Sequence, residues 1–243
     1  RFESVEGIYD YMRGDATRAY QSTLFTDGGN KAKISLFTRD FVYLRSNDGT
    51  HDYFVVFDKV VSTDPGLQKK WLLHSIDEPR VNGTFSKGGI DGKGAANNFG
   101  GTPGSISFDS DTVVITEADG KLFSRTIFPQ KCAVAKIGGP DAEGKTNTTG
   151  SYESFVNGTN HKTDTQRSKS YTFKPLQGAW RIEVTPLTAQ KEDLFLHVLY
   201  PCDKTVAAMP QTSPIESEKA TMAGVHIAAL TDVPSWIVMF SKD

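Results

Sequence analysis

The sequence predicts an all-β fold, an antiparallel β-sandwich of two stacked sheets with long irregular loops. Three observations point there. Apolar and polar residues alternate with period two along most of the chain. The alternating stretches are separated by clusters of Gly, Asn, Asp and Pro, which are turn formers. No stretch sustains a 3.6-residue apolar period between helix caps. The chain has 243 residues, of which 37% are hydrophobic, a size that β-sandwiches reach as single units, so one domain over residues 1–243 is expected.

The elements follow in order. Residues 34–44 read as strand, turn, strand, with Ile34–Phe37 and Phe41–Leu44 as the two arms. Asn47-Asp48-Gly49 is a turn. Tyr53–Phe57 is apolar on both faces and is expected as a central strand covered from both sides. Lys70–Ser75 is the next strand. From Asn82 to Ser105 the Gly-rich sequence loosens into a long irregular loop, a length often tied to function in a compact domain. Strands resume at Ser105–Phe108 and Thr112–Thr116, and Ala118-Asp119-Gly120 turns the chain into Lys121–Phe128. Gly138–Thr149 is a second Gly- and Asn-rich excursion. Trp180–Val184 alternates cleanly, Asp193–Tyr200 is the second strongly apolar strand, and Met222–Leu230 and Ser235–Phe240 complete the set.

The charge balance is 27 basic against 29 acidic residues, a net of -2, with no dense basic patch, so nucleic acid is not an expected partner. No apolar run is long enough for a transmembrane helix. The chain opens at Arg1 without an initiator Met, which reads as a processed or excised fragment. Cys132 and Cys202 could form one disulfide or stand as two buried thiols. Asn82, Asn147 and Asn157 each open an Asn-x-Thr acceptor for N-glycosylation in loop-like sequence.

Searching for chemistry finds no Gly-x-Ser-x-Gly elbow, phosphate loop or His-Glu-x-x-His helix. Of the five histidines, His51 and His161 lie in polar, turn-like sequence. His74 shares a strand face with Leu72, and His197 shares one with Phe195 and Leu199. A histidine among apolar neighbours reads first as a satisfied core residue. The alternative is a buried imidazole for metal or catalysis. A structural zinc needs two or three further ligands, and Asp58, at the end of the Tyr53–Phe57 strand, is one that pairing of neighbouring strands would bring to His74. Among the tryptophans, Trp180 and Trp236 read as core anchors. Trp71 is the candidate that stacks on a sugar ring from an exposed sheet face.

Three stretches, taken in order, resemble the C-terminal β-sandwich region of heparinase II/III-like polysaccharide lyases. They are Tyr9-Asp10-Tyr11-Met12-Arg13-Gly14-Asp15-Ala16-Thr17-Arg18-Ala19-Tyr20, then Asp52–Val60 running on to Lys70-Trp71-Leu72-Leu73-His74, and Gly178–Pro186 followed by Asp193–Leu199. The resemblance covers roughly Tyr9 to Tyr200. It implies a secreted, extracellular or periplasmic setting and an acidic polysaccharide such as a glycosaminoglycan as partner. The implied reaction is β-elimination, in which a Tyr or His takes the proton beside a uronate carboxylate while another group neutralises that carboxylate. It also implies zinc in the sandwich, with His74 as the position to test. The family's N-terminal α/α toroid, which supplies much of the cleft, is absent from this chain, so a complete lyase site is not expected here. A carbohydrate-binding module is the second reading. The third is a structural subunit that self-assembles through exposed β edges supplied by residues 1–8 and 235–243.

Overall fold

The strands in chain order are β1 (Phe2–Val5), β2 (Tyr9–Asp15), β3 (Ile34–Leu44), β4 (Tyr53–Ser62), β5 (Trp71–Ser75), β6 (Arg80–Val81), β7 (Ile106–Ser107), β8 (Thr112–Glu117), β9 (Gly120–Phe128), β10 (Cys132–Gly138), β11 (Phe155–Val156), β12 (Thr159–Asn160), β13 (Trp180–Pro186), β14 (Glu192–Asp203), β15 (Thr212–Glu216), β16 (Met222–Ile227) and β17 (Trp236–Ser241). A single 3-10 turn, Thr17–Tyr20, is the helical structure among the described residues. The computed structural model describes residues 1–21, 31–46, 48–81, 106–107, 112–138, 155–156, 159–160, 180–231 and 233–242. All the registered strand pairs are antiparallel, and the fold is an all-β sandwich. The long loop read over Asn82–Ser105 and the excursion of residues 139–149 lie outside the described residues.

The chain divides into two compact units, both discontinuous in sequence. The first comprises Arg1–Lys69, Gly120–Lys131 and Pro186–Asp243, and the second Lys70–Asp119 and Cys132–Thr185.

In the first unit the larger sheet runs β1-β2-β3-β4-β14-β9, and a three-stranded sheet runs β15-β16-β17. As the double-sided apolar pattern of Tyr53–Phe57 requires, β4 is central, flanked by β3 and β14. Phe57 pairs with Asp40 on one side and Leu196 on the other. The alternation that puts Tyr11, Asp40, Val42, Val55 and Phe57 on one face of this sheet turns that face toward the smaller sheet. Phe57 stacks on Phe240 of β17 with centroids 4.8 Å apart and rings 6° from parallel, and Lys59 donates from Nζ to the Lys242 carbonyl. Val55, Phe57, Leu196 and Val198 are fully buried. Each such side chain contributes about 1.5–3 kcal/mol relative to an exposed position.

On the opposite face of the same sheet, His197 is completely buried beside Thr126. Its imidazole is held well below the usual histidine range by burial and, secondarily, by Arg39. It is a neutral core histidine, as its apolar strand suggested.

The second unit holds a four-stranded sheet, β5-β13-β10-β7, with the short pairs β6–β8 and β11–β12. Trp71, Val134, Trp180, Ile182 and Val184 form its apolar interior. Lys136 is completely buried there. Its ammonium donates to Glu78 at 2.6 Å and to the Pro79 carbonyl at 3.1 Å, and lies 5.5 Å from the centre of the Trp180 ring.

The structure departs from the sequence reading in β3. Residues 34–44 form one unbroken strand of 11 residues, with no turn at Thr38-Arg39-Asp40. These polar residues stay extended because each charge finds a partner across the sheet. Arg39 clamps Asp58 with Nε and Nη2, both at 2.6 Å, and Asp40 accepts from Tyr11 at 2.5 Å. β1, β2, β10 and β15 carry no clean alternation and emerge only in the structure.

Candidate functional site

An open groove of about 560 Å³ lies in the first unit between the β1–β3 part of the larger sheet and β17. Its polar side is built by β2 and β3. Alternation along Tyr9-Asp10-Tyr11-Met12-Arg13 sends Tyr9, Tyr11 and Arg13 to the face that carries Asp40, Val42 and Leu44, with which they pair in register. Its apolar side is Trp236 to Phe240.

Two tyrosine–carboxylate pairs define its electrostatics. Tyr11 donates to Asp40, which is only 2% exposed, and the Arg13 guanidinium sits 3.7 Å from the same carboxylate. Tyr9 donates to Glu3 at 2.6 Å, and Arg1 binds the other oxygen of Glu3 at 3.1 Å. Burial and then the Asp40 hydrogen bond push the Tyr11 phenol up, and the Glu3 hydrogen bond pushes Tyr9 up. Both phenols therefore stay protonated near neutral pH and act as hydrogen-bond donors. Neither is a proton acceptor, and among the described residues no histidine lines the groove. Two guanidiniums, two carboxylates, two phenols and a wall of apolar side chains suit recognition of a polyhydroxylated, charged ligand. They do not supply the base that proton abstraction from carbon needs.

The residues singled out from the sequence fall elsewhere. Trp71 is only 6% exposed and offers no ring face to a sugar. This corrects the expectation of an exposed platform, because Trp71 occupies the inward face of β5 with Ser75. Trp236, read as a core anchor, is the half-exposed tryptophan, and it lines the groove.

His74 and Asp58 are not brought together by strand pairing. β4 is flanked by β3 and β14, whereas β5 pairs with β13, and the two residues belong to different units. Both oxygens of Asp58 are engaged by Arg39, and the cross-strand neighbour of His74 is the cation Arg181. Among the described residues no three His, Cys, Asp or Glu side chains converge. Cys132 is buried and Cys202 half-buried, and they belong to different units. Burial raises the Cys202 thiol above its ordinary range. Asn82, Asn147, Asn157 and His161 lie outside the described residues. His51 is less free than its polar turn implied, since its Nδ1 lies 2.5 Å from an Asp48 carboxylate oxygen.

No family model and no curated protein matches the sequence. Solved structures that it matches include a heparan sulfate lyase and a heparinase III. The first is the crystal structure of heparan sulfate lyase HepC from Pedobacter heparinus, at 11% identity and a TM-score of 0.49, over 99% of this chain and 27% of that one. The second is the heparinase III BT4657 gene product, at 11% identity and a TM-score of 0.47, over 97% of this chain and 26% of that one. The chain thus spans about a quarter of the length of these enzymes. They are of the same enzyme group that the sequence motifs resemble. No helix of the described residues is long and apolar enough to cross a membrane.

Proposed function

We propose that this chain is the β-sandwich part of a secreted heparinase II/III-like polysaccharide lyase, and that it holds an acidic polysaccharide without cleaving it alone. The observation that supports this reading is the groove on β2, β3 and β17. It presents Arg1, Arg13, Tyr9, Tyr11 and Trp236 to a ligand while both phenols are committed as donors to Glu3 and Asp40. A charged sugar chain finds there guanidiniums for its carboxylate or sulfate groups, the Glu3 carboxylate for its hydroxyls and an indole for its ring face. The elimination base would come from outside this chain.

The test is titration of the chain with heparan-type oligosaccharides, with binding followed by calorimetry and cleavage by the ultraviolet absorbance of an unsaturated uronate. Binding without product is expected. Arg13→Ala and Trp236→Ala are each expected to weaken it roughly tenfold, the loss of a charge-assisted contact or an aromatic anchor. Full affinity in both variants would overturn the assignment of the groove, and product formation by the chain alone would overturn the non-catalytic role.

One observation favours self-assembly as a second reading. The edge strand β1 exposes all four of its residues, with Phe2 66% accessible, and the edge strand β17 exposes Ile237 at 65%. Such edges pair readily with other chains. A particle that stays monomeric at every concentration on sizing would remove this reading.

A further inference from the structure

A second pocket, of about 180 Å³, lies in the first unit between residues 65–69, which follow β4, and residues 186–190, which lead into β14. Its buried lining is an ion pair. Lys69 and Asp193 are 8% and 3% exposed, and Lys69 Nζ lies 2.9 Å from Asp193 Oδ2. The same ammonium donates to Ser62 Oγ at 3.0 Å and to the Gln190 carbonyl at 2.6 Å, so it ties the segment after β4 to the start of β14. Asp64 pins the near side by accepting the Gly66 N–H at 2.7 Å. The walls are thus held by the fold, and little ordering remains for a ligand to impose.

The lining decides the class of ligand. Among the described residues that form it, Lys69 and Asp193 are the charged ones, and their charges cancel. An ammonium has three donors, and Ser62, Gln190 and Asp193 take all three, which leaves none for an anion. A carboxylate accepts about four hydrogen bonds. Asp193 takes one from Gln190 Nε2 at 2.7 Å and one from Lys69, so it keeps capacity for O–H donors. Pro65, Leu67, Pro186 and Leu187 add C–H surface, and Leu187 is 54% exposed at the rim. The volume is well below the roughly 300–1,000 Å³ of pockets for drug-sized ligands, so it suits one ring and not a run of rings. We propose that this pocket holds a single uncharged sugar residue, its hydroxyls donating to Asp193 and its ring C–H groups lying against Leu187 and the prolines. That the hydroxylated ring is a sugar rests on the polysaccharide reading, whereas the preference for a small neutral polyol does not.

The experiment is NMR titration of the chain with methyl glycosides of neutral hexoses, with methyl glucuronoside and myo-inositol as comparators. A ligand of about a dozen heavy atoms should bind with a Kd on the order of 1 mM. Saturable shifts at the Gly66 and Leu187 amides are expected, with a neutral glycoside binding more tightly than either comparator. Asp193→Asn should weaken binding about tenfold, the loss of a hydrogen bond to a charged acceptor. That variant strands the buried Lys69 charge, so Ala189→Trp, which fills the pocket from an exposed position in its lining, tests the site without disturbing the ion pair and should abolish the shifts. Silent Gly66 and Leu187 amides, a glucuronoside or inositol bound as tightly as every neutral glycoside, or unchanged binding in Ala189→Trp would each overturn the inference. If Arg13→Ala and Trp236→Ala weaken oligosaccharide binding while these amides ignore the glycosides, the pocket falls and the groove stands. If the glycosides saturate the pocket while acidic oligosaccharides do not bind, the groove falls and the pocket stands.

Discussion

Asp58 shows how one side chain can look like a ligand in sequence and be a structural partner in the fold. It is 3% exposed, and burial raises its carboxyl although Arg39 pulls the other way. A folded-state value above the unfolded one means that this group's contribution is fully present below the unfolded value and is lost as pH rises through the folded one. Arg39→Ala would leave the buried carboxylate uncompensated. The expected cost is about 2 kcal/mol near neutral pH, below the range for a fully buried pair because the Arg39 side chain is 49% exposed. Urea denaturation should show that cost shrinking as pH falls and Asp58 takes up a proton, and a cost that grows on acidification would refute the account. Polarity alone cannot tell a carboxylate awaiting a metal from one already held by an arginine. That distinction needs the register that sets Arg39 opposite Asp58. The same holds for Trp71 and Trp236, whose burial depends on which sheet face is covered.

At the scale of elements, long apolar strands were legible and polar ones were not. β4 and β14 stand out because both of their faces are buried, whereas β2 mixes charges among its apolar residues and is held by pairs such as Ser4–Asp10 and Arg45–Asp10. β3 was read as two pieces because its middle is Thr-Arg-Asp, and only cross-strand partners make that stretch extended. In β16 a glycine decides how closely the small sheet can pack. A Cβ on Gly224 would lie 2.0 Å from the Val238 carbonyl oxygen and 2.6 Å from the Met239 sulfur. Gly224 sits directly opposite Met239, on the strand between β15 and β17, so a backbone atom blocks the way and cannot swing aside. Gly224→Ala is expected to cost about 3 kcal/mol, at the upper end for overpacking, and thermal unfolding checks it. A variant as stable as the parent would show that β17 can slide away at no cost.

For the whole molecule, the division into two discontinuous units was not legible, because a hydrophobic pattern does not say which strands meet. The tryptophans report on the division separately: Trp71 and Trp180 belong to the second unit and Trp236 to the first. Leu196 is fully buried in β14 and pairs with both Phe57 and Phe128. Leu196→Ala is expected to lower the stability of the first unit by about 3 kcal/mol. Trp236 fluorescence should then change at lower denaturant than that of the other two tryptophans. Coincident transitions in the variant would mean that the units melt as one.

The central pairing of β4 with β14 also has a consequence in time. Ser62 donates to the Lys191 carbonyl although the two stand 129 positions apart in the chain, so during synthesis β4 leaves the ribosome long before its neighbour exists. For that interval a strand built to be covered on both sides has one bare flank, which is the kind of surface that nascent chains stick together by and that chaperones shield. Slow translation before β14 would prolong the exposure, and aggregation during expression is where that delay would first be felt.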